Sequence, residues 1–519
     1  MNHPDLHRPL YTADVLANAL NNGRDTPLLH QLDGPTLTAA DMRDETSRYT
    51  QALASLGVTA GSRVSLIAPN RPECLHVTHA LQMLAALYVP MHPLAGLGDH
   101  LNTVRDADVQ ILIYDAERFE GRALEIVAEE PGMKLLAIGA SEHADDIHHL
   151  AAGFTPQKLV PPIVDGHDIT RLGYSGGTTG KPKAIPSVQR IGEVTGIHMQ
   201  AIWEWPETLH ILSCAPLTHA GGAMFMPALL RGGTFLILPR FDPLQVLEEI
   251  QARRINCIML VPTMIYALLD HPRFDEFDLS SLESVFYGAS AISPPRLKEA
   301  IERIGPVFAQ FYGQAEAPMT LTYMRKADHD VNDMRRLASC GRPNPYVRLE
   351  LMDADCNPVP DGEPGEICVQ GPLVMDGYRD PVLTEEAFRG GWLHTGDVAI
   401  RDPDGFLRIV DRTKDMIVSG GFNIYPREIE IIIAENPAVA EVAVIGVPHE
   451  KWGEAVKAVV VLKPGESVGE DDLIAPVAAK KGSYQAPKSV DFVDAIPQTP
   501  VGKPDKKVLR AQYAAMASA

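Results

Sequence analysis

The chain has 519 residues, with 67 acidic against 46 basic side chains and a formal net charge of −21 at pH 7. That length exceeds what one hydrophobic core fills, so two or more domains are expected. The acidic balance, with a pI near 5.3, disfavours nucleic acid and anionic membrane surfaces as partners and requires any anionic substrate to meet a local concentration of lysine and arginine.

The opening stretch MNHPDLHRPLYTADV has no basic-then-apolar leader pattern, and the most apolar stretches are broken by polar residues and proline before they reach membrane-spanning length. No integral membrane segment is expected. The six cysteines, Cys74, Cys214, Cys257, Cys340, Cys356 and Cys368, are scattered without a CxxC pair, so the sequence signals neither a zinc motif nor a disulfide framework. A reducing, cytoplasmic setting fits.

From about residue 60 to 320, apolar β-branched runs alternate with helical patterns. Arg63–Ala68, Val109–Tyr114, Lys134–Ile138, Phe235–Leu238, Cys257–Val261, Ser284–Tyr287 and Val307–Tyr312 read as strands, and Leu244–Arg254 and Pro295–Ile304 as helices. This is the rhythm of parallel sheets covered on both faces, an α/β body of two sheet layers. Ligands in such sheets sit at the carboxyl ends of strands, where Gly288-Ala289-Ser290 and Tyr312-Gly313-Gln314 fall. Between 345 and 412 the character changes: short strands at Val347–Met352, Glu366–Gln370 and Phe406–Val410, separated by DADCNPVPDGEPG and DPDG, predict a small antiparallel β-barrel. After Lys414 a helix at Pro426–Asn436 and strands at Glu441–Val447 and Val456–Leu462 predict a separate, smaller α+β domain. The expected division is a large domain over 1–413 and a mobile one over 414–519.

The segment Tyr174-Ser175-Gly176-Gly177-Thr178-Thr179-Gly180-Lys181-Pro182-Lys183 alternates glycine, hydroxyl and ammonium groups. Glycines allow tight turns and close backbone approach to an anion, hydroxyls donate, and lysines add charge, so the composition suits a polyphosphate. The kinase and GTPase P-loop is excluded, because Pro182 follows Lys181 where that motif wants Ser or Thr.

This loop, Tyr312-Gly313-Gln314-Ala315-Glu316, His394-Thr395-Gly396-Asp397, Asp411-Arg412-Thr413-Lys414-Asp415 and Pro500-Val501-Gly502-Lys503 occur in one order over nearly the whole chain. Together they resemble the adenylate-forming superfamily, specifically its AMP-forming acyl-CoA synthetases. The resemblance implies a ligase that uses ATP, Mg2+ and coenzyme A on a small-molecule carboxylic acid. Ser175, Gly176, Gly177, Thr178, Thr179, Gly180, Lys181 and Lys183 would hold the β and γ phosphates, with Thr178 among the catalytic groups. Adenine would lie against Tyr312, with Gly313 and Gln314 beside it and Gly288, Ala289 and Ser290 on its other side. Glu316 would be the magnesium ligand, Asp397 the ribose-binding carboxylate and Arg412 a partner of the sugar or phosphate. Lys503 would bridge the substrate carboxylate and α-phosphate.

One site hosting both half-reactions implies a swing of the C-terminal domain about Lys414, which withdraws Lys503 and presents Ser419, Gly420, Gly421 and Phe422 to coenzyme A. The acyl pocket is expected beside His219, Gly222, Ala223, Met224, Ala317 and Pro318, with Gly221, Gly222 and Ala223 leaving room for a bulky acid. An aspartate that amino-acid-activating relatives use for the α-amine is missing, so fatty, aryl, alicyclic or steroid-side-chain acids are expected. Three departures stand out: Ala315 where threonine is common, Gly176 where serine is common, and Ala184 where glycine is common. No carrier-domain sequence follows Lys503, so an acceptor tethered in cis is not expected, whereas a separate carrier protein as acceptor, a catalytically impaired homologue and a homo-oligomer all stay open.

Overall fold

The computed structural model describes residues 7–23, 25–175, 183–412, 415–419, 422–449, 452–498 and 504–517. The chain forms two compact units. The first comprises Met1–Tyr287, Val307–Leu321 and Gly371–Glu386, and the second Gly288–Pro306, Thr322–Gln370 and Ala387–Ala519.

The first unit contains the two expected α/β layers. One is a seven-stranded sheet in the order Asp145–Asp146, Lys134–Ile138, Ile111–Asp115, Arg63–Ile67, Leu87–Pro90, Ile169–Ser175 and Lys183–Val188. Its strands pair in parallel except the last two, which are antiparallel and place Ser175 opposite Lys183. The fully buried run of Ile111–Asp115 reflects cover on both faces, as parallel sheets require. The other sheet orders Phe308–Gln314, Ser284–Tyr287, Cys257–Leu260, His210–Ser213, Thr234–Ile237, Pro27–Gln31 and Thr36–Thr38. The helix Pro243–Arg253 lies one residue earlier than the expected Leu244–Arg254, because Asp242 caps the Gln245 amide and Pro243 supplies a preset φ.

The second unit holds two sheets. Arg348–Met352, Pro364–Gln370, Leu393–Arg401 and Leu407–Arg412 form an antiparallel four-stranded sheet where a barrel is expected from the turn spacing. The other orders Phe422–Ile424, Ile417–Ser419, Gly453–Leu462 and Val439–His449, with Ser489–Phe492 added in parallel to Gly453–Leu462. Ile429, Ile432 and Ile433 of the helix Pro426–Ala434 pack with Leu473 and Val477 against Val444, Val456 and Val460. Leu509 and Tyr513 of the helix Lys506–Ala517 join Ala443, Ile445 and Val459 in a second core, as the period-2 alternation of the long strands dictates. Among the described residues, no helix is long and apolar enough to cross a membrane.

Candidate active site

Within the first unit, the strands Ile169–Ser175 and Lys183–Val188 clamp both ends of the glycine-rich loop by pairing Tyr174 with Ala184 and Ser175 with Lys183. Gly176, Gly177, Thr178, Thr179, Gly180 and Lys181 lie outside the described residues. Ala184 is a core residue at 9% exposure, so its methyl packs inward. The Tyr174 hydroxyl donates to Asp106 Oδ2 at 2.8 Å, and burial together with that carboxylate pushes its pKa up.

Tyr312, Gly313 and Gln314 end a strand whose neighbour in the sheet, Ala317–Met324, is reached by the two-residue turn Ala315-Glu316. Phe311 packs on Trp203 at 5.0 Å between ring centroids, so Tyr312, next along the strand, faces the other side of the sheet. A Cβ on Gly313 would stand 2.2 Å from the Met319 amide nitrogen, so only glycine fits this hairpin. Ala315 is exposed and Glu316 is buried at 9% exposure.

Glu316 is not alone. Tyr378 Oη donates to Glu316 Oε1 at 2.8 Å, and Lys183 Nζ stands 5.2 Å from the centre of the Tyr378 ring. Burial, then the Glu316 charge, raises the Tyr378 pKa, so the phenol stays a donor. Gly377, at φ +148°, sets Tyr378 in place, and a Cβ there would meet Thr384 at 2.8 Å. Tyr378 escaped the sequence reading; its one signal is an aromatic after glycine in Asp376-Gly377-Tyr378-Arg379, a turn with little else to recommend it.

The segment beside the expected acyl pocket corrects one sequence inference. A Cβ on Gly221 would lie 2.4 Å from the Ala215 carbonyl oxygen, and one on Gly222 2.3 Å from that of Leu217. These glycines admit the chain's own backbone, so a side chain is missing there because the fold has no room for one, which is a reason other than space for substrate. Met224, like Phe225, is 1% exposed and belongs to the core, where Phe225 meets Phe235 edge-on; Ala317 is buried completely. His219, Gly222, Ala223, Met226 and Pro318 are half-buried and contribute surface in these segments. His219 accepts or donates at Thr218 Oγ1 over 2.9 Å and meets the His92 ring edge-on at 4.9 Å. Burial, then the Arg171 and His92 charges, lowers its pKa to about 3, so its imidazole is neutral. Arg171, another residue the sequence did not flag, donates to the Thr218 carbonyl at 3.2 Å.

In the second unit, Asp397 and Arg412 lie directly opposite each other on antiparallel strands, and Arg412 Nε donates to Asp397 Oδ1 at 3.1 Å. Asp397 is 6% exposed. Its neighbour Gly396, at φ +72°, donates its amide to Glu366 Oε1 at 2.8 Å, and His394 Nδ1 meets Glu366 Oε2 at 2.7 Å. Asp411 accepts the Arg412 and Arg427 amides at 2.7 and 3.0 Å, and burial raises its pKa to about 6 against the pull of Lys506. Glu430 is buried with Lys506 Nζ at 2.7 Å. Gly288, Ala289 and Ser290 open a segment that leads to the helix Pro294–Ile304, with Ala289 at φ +66°. Ser419 is buried and pairs with Phe422 in a short hairpin. Lys414, Gly420, Gly421 and Lys503 lie outside the described residues.

Residues 16–379 match the family model of the AMP-binding enzyme, and residues 428–503 that of the AMP-binding enzyme C-terminal domain. The chain belongs to the adenylate-forming AMP-binding enzyme family. It is 47% identical to the medium/long-chain-fatty-acid–CoA ligase FadD8 of Mycobacterium tuberculosis, over 98% of this chain and 91% of that protein. It is 35% identical to the feruloyl-CoA synthase of an Amycolatopsis species, over 92% and 94%. Among solved structures, the amide bond synthetase McbA from Marinactinospora thermotolerans superposes with a TM-score of 0.88 at 31% identity, over 96% of this chain and all of that one. The reaction class of this adenylate-forming enzyme is AMP-forming acid–CoA ligation.

Proposed function

We propose that this enzyme joins a medium- or long-chain fatty acid to coenzyme A at the expense of ATP, through an acyl-adenylate. The observation that carries the substrate class is the uncharged segment Leu217–Met226, in which His219 is held neutral by burial. The segment itself carries no charged side chain, and the neighbouring Arg171 is engaged at the Thr218 carbonyl, so an apolar chain gains by leaving water there. The similarity to the mycobacterial ligase supports the same reading. A flat aryl acid is the second reading, favoured by the edge-on His92–His219 pair, which offers imidazole surface for stacking.

In the first half-reaction the carboxylate attacks the α-phosphorus and pyrophosphate leaves; in the second, the coenzyme A thiol displaces AMP. Tyr312, Gly313, Gln314 and Gly288-Ala289-Ser290 hold the adenine, and Asp397 accepts from the ribose hydroxyls while Arg412 fixes the carboxylate's orientation. The loop from Ser175 to Lys183 holds the phosphates, with Lys183 positioned over Tyr378. Glu316 suits a hard cation: its Oε1 takes the Tyr378 proton donor, and among the described residues no hydrogen bond engages Oε2. Glu316 would hold the magnesium, which would supply charge neutralisation for the departing pyrophosphate. Lys503 meets the charge that builds between carboxylate and α-phosphate. The domain over 414–519 turns about Lys414 between the halves, exchanging Lys503 for Ser419, Gly420, Gly421 and Phe422, and the work is done in the cytoplasm.

Mass spectrometry of products after incubation with ATP, magnesium, coenzyme A and a panel of fatty, aryl and alicyclic acids tests this. Fatty acyl-CoA with AMP is the expected result. Product from aryl acids alone would establish the second reading, and acyl-adenylate without thioester would point to another acceptor.

A further inference from the structure

No CxxC spacing marks a metal site in this sequence, yet the four-stranded sheet of the second unit brings three possible ligand side chains together across two strands. Glu366 and Cys368, two apart on the strand Pro364–Gln370, share a face of the sheet. Register puts His394 directly opposite Cys368. The result is a carboxylate, a thiol and an imidazole whose ligand atoms all lie within 4.8 Å of one another. His394 Nδ1 is 2.7 Å from Glu366 Oε2 and 3.4 Å from Cys368 Sγ. Cys368 is buried completely, and the side chains of His394 and Glu366 are 5% and 15% exposed.

These separations can be compared with a tetrahedral zinc site. Metal–ligand lengths of about 2.3 Å to sulfur and about 2.0–2.1 Å to nitrogen or oxygen place ligands roughly 3.5 Å apart for N···S and roughly 3.3 Å for N···O. The first separation is already met, and the second requires Glu366 to draw back by about half an ångström from hydrogen-bond distance. The far ring nitrogen is also arranged for metal binding: His394 Nε2 lies 3.1 Å from the Arg389 carbonyl oxygen, the outer hydrogen bond that fixes a ligating imidazole with Nδ1 turned to the metal. Cys356 approaches Nε2 at 3.7 Å, on the side away from Nδ1, so it would not join the three ligands and water would have to complete a tetrahedral shell. A buried thiol with an imidazole selects a thiophilic ion over the hard magnesium of the reaction.

We propose that Cys368 Sγ, His394 Nδ1 and a Glu366 carboxylate oxygen form a binding site for a thiophilic divalent cation of the zinc class. On binding, the Cys368 thiol proton and the proton shared by His394 and Glu366 pass to solvent, and the freed lone pairs take the metal. Glu366 is also the acceptor for the Gly396 amide, one residue before Asp397. Pulling its carboxylate toward a metal loosens the turn that presents Asp397, so occupation of the site slows adenylation. That consequence rests on Asp397 serving the ribose as proposed above; the metal site does not.

Titration of the full-length protein with Co2+ under a non-thiol reductant tests the site. A thiolate-to-cobalt charge-transfer band at one ion per chain is expected, abolished in Cys368→Ala and retained in Cys356→Ala. No band in the wild type, or a band that survives Cys368→Ala, overturns the site. The same variants are then assayed for acyl-adenylate formation in excess magnesium with added Zn2+. The wild-type rate is expected to fall several-fold and to recover with a chelator, while Cys368→Ala keeps its basal rate and ignores zinc. Cobalt bound through Cys368 without zinc inhibition would overturn the link to Asp397 and leave the metal site standing. The cobalt titration decides the site even if the proposed substrate class is wrong.

Discussion

Tyr378 Oη donates a 2.8 Å hydrogen bond to Glu316 Oε1, and the same ring carries Lys183 on its face. One side chain therefore orients the proposed magnesium ligand and the last lysine of the proposed phosphate loop. The two roles separate by substitution. Tyr378→Phe keeps the ring under Lys183 and removes the donor, and kcat/KM for adenylation is expected to drop tenfold or more, from the roughly 1.5–3 kcal/mol of a hydrogen bond to a charged group. Tyr378→Leu removes both contacts and falls further. Pyrophosphate-release kinetics at varied magnesium check this, and equal rates for wild type and Tyr378→Phe would dismiss the bond's importance.

Asp411 gives a pH signature. Burial raises its pKa from an ordinary 3.8 to about 6, so the folded protein favours the protonated carboxyl. That stabilisation is complete below the unfolded value near 3.8 and is lost as pH rises through 6; roughly two units amount to about 3 kcal/mol. Asp411→Asn mimics the neutral form, and its unfolding midpoint is expected to vary less than wild type between pH 4 and 6, whatever the absolute offset from a lost amide contact. Parallel pH profiles for the two proteins would assign the dependence to other groups.

Much of this architecture was legible because its signals are local. Lys134–Ile138 and Ser284–Tyr287 emerge as strands with the bounds their β-branched runs predict, since a buried parallel strand needs only a short apolar run. Glu316 and Asp397 were marked by motif order. What escaped depends on register and distance: Tyr378 reaches Glu316 across 62 residues, and Cys368 meets His394 only because two strands pair at that position. The glycines at 221 and 222 mislead for a related reason, because composition reports a missing side chain without saying what fills its place.

Ala315 tests whether the family's missing hydroxyl limits the rate. The residue is exposed in the turn before Glu316, so a larger side chain meets no packing penalty there. Ala315→Thr is expected to preserve or raise the adenylation rate, by at most the roughly 0.5–1.5 kcal/mol of one hydrogen bond. A large fall in single-turnover adenylation would show that the alanine serves the turn itself.

The role proposed for Lys503 predicts a difference between the two half-reactions. If it meets charge only while the carboxylate attacks the α-phosphorus, Lys503→Ala loses roughly 10²–10³-fold in adenylation, the range for removing one preorganised transition-state donor. Thioester formation from supplied acyl-adenylate should then proceed near the wild-type rate, because the proposed domain swing withdraws Lys503 and presents Ser419 with Phe422 in that half. Rapid-quench measurement of each half alone checks this. Equal losses in both halves would mean one fixed arrangement serves both, and would dismiss the hinge proposed at Lys414; in that case Lys414→Pro, which stiffens the chain at that position, should leave turnover unchanged instead of arresting it after adenylation.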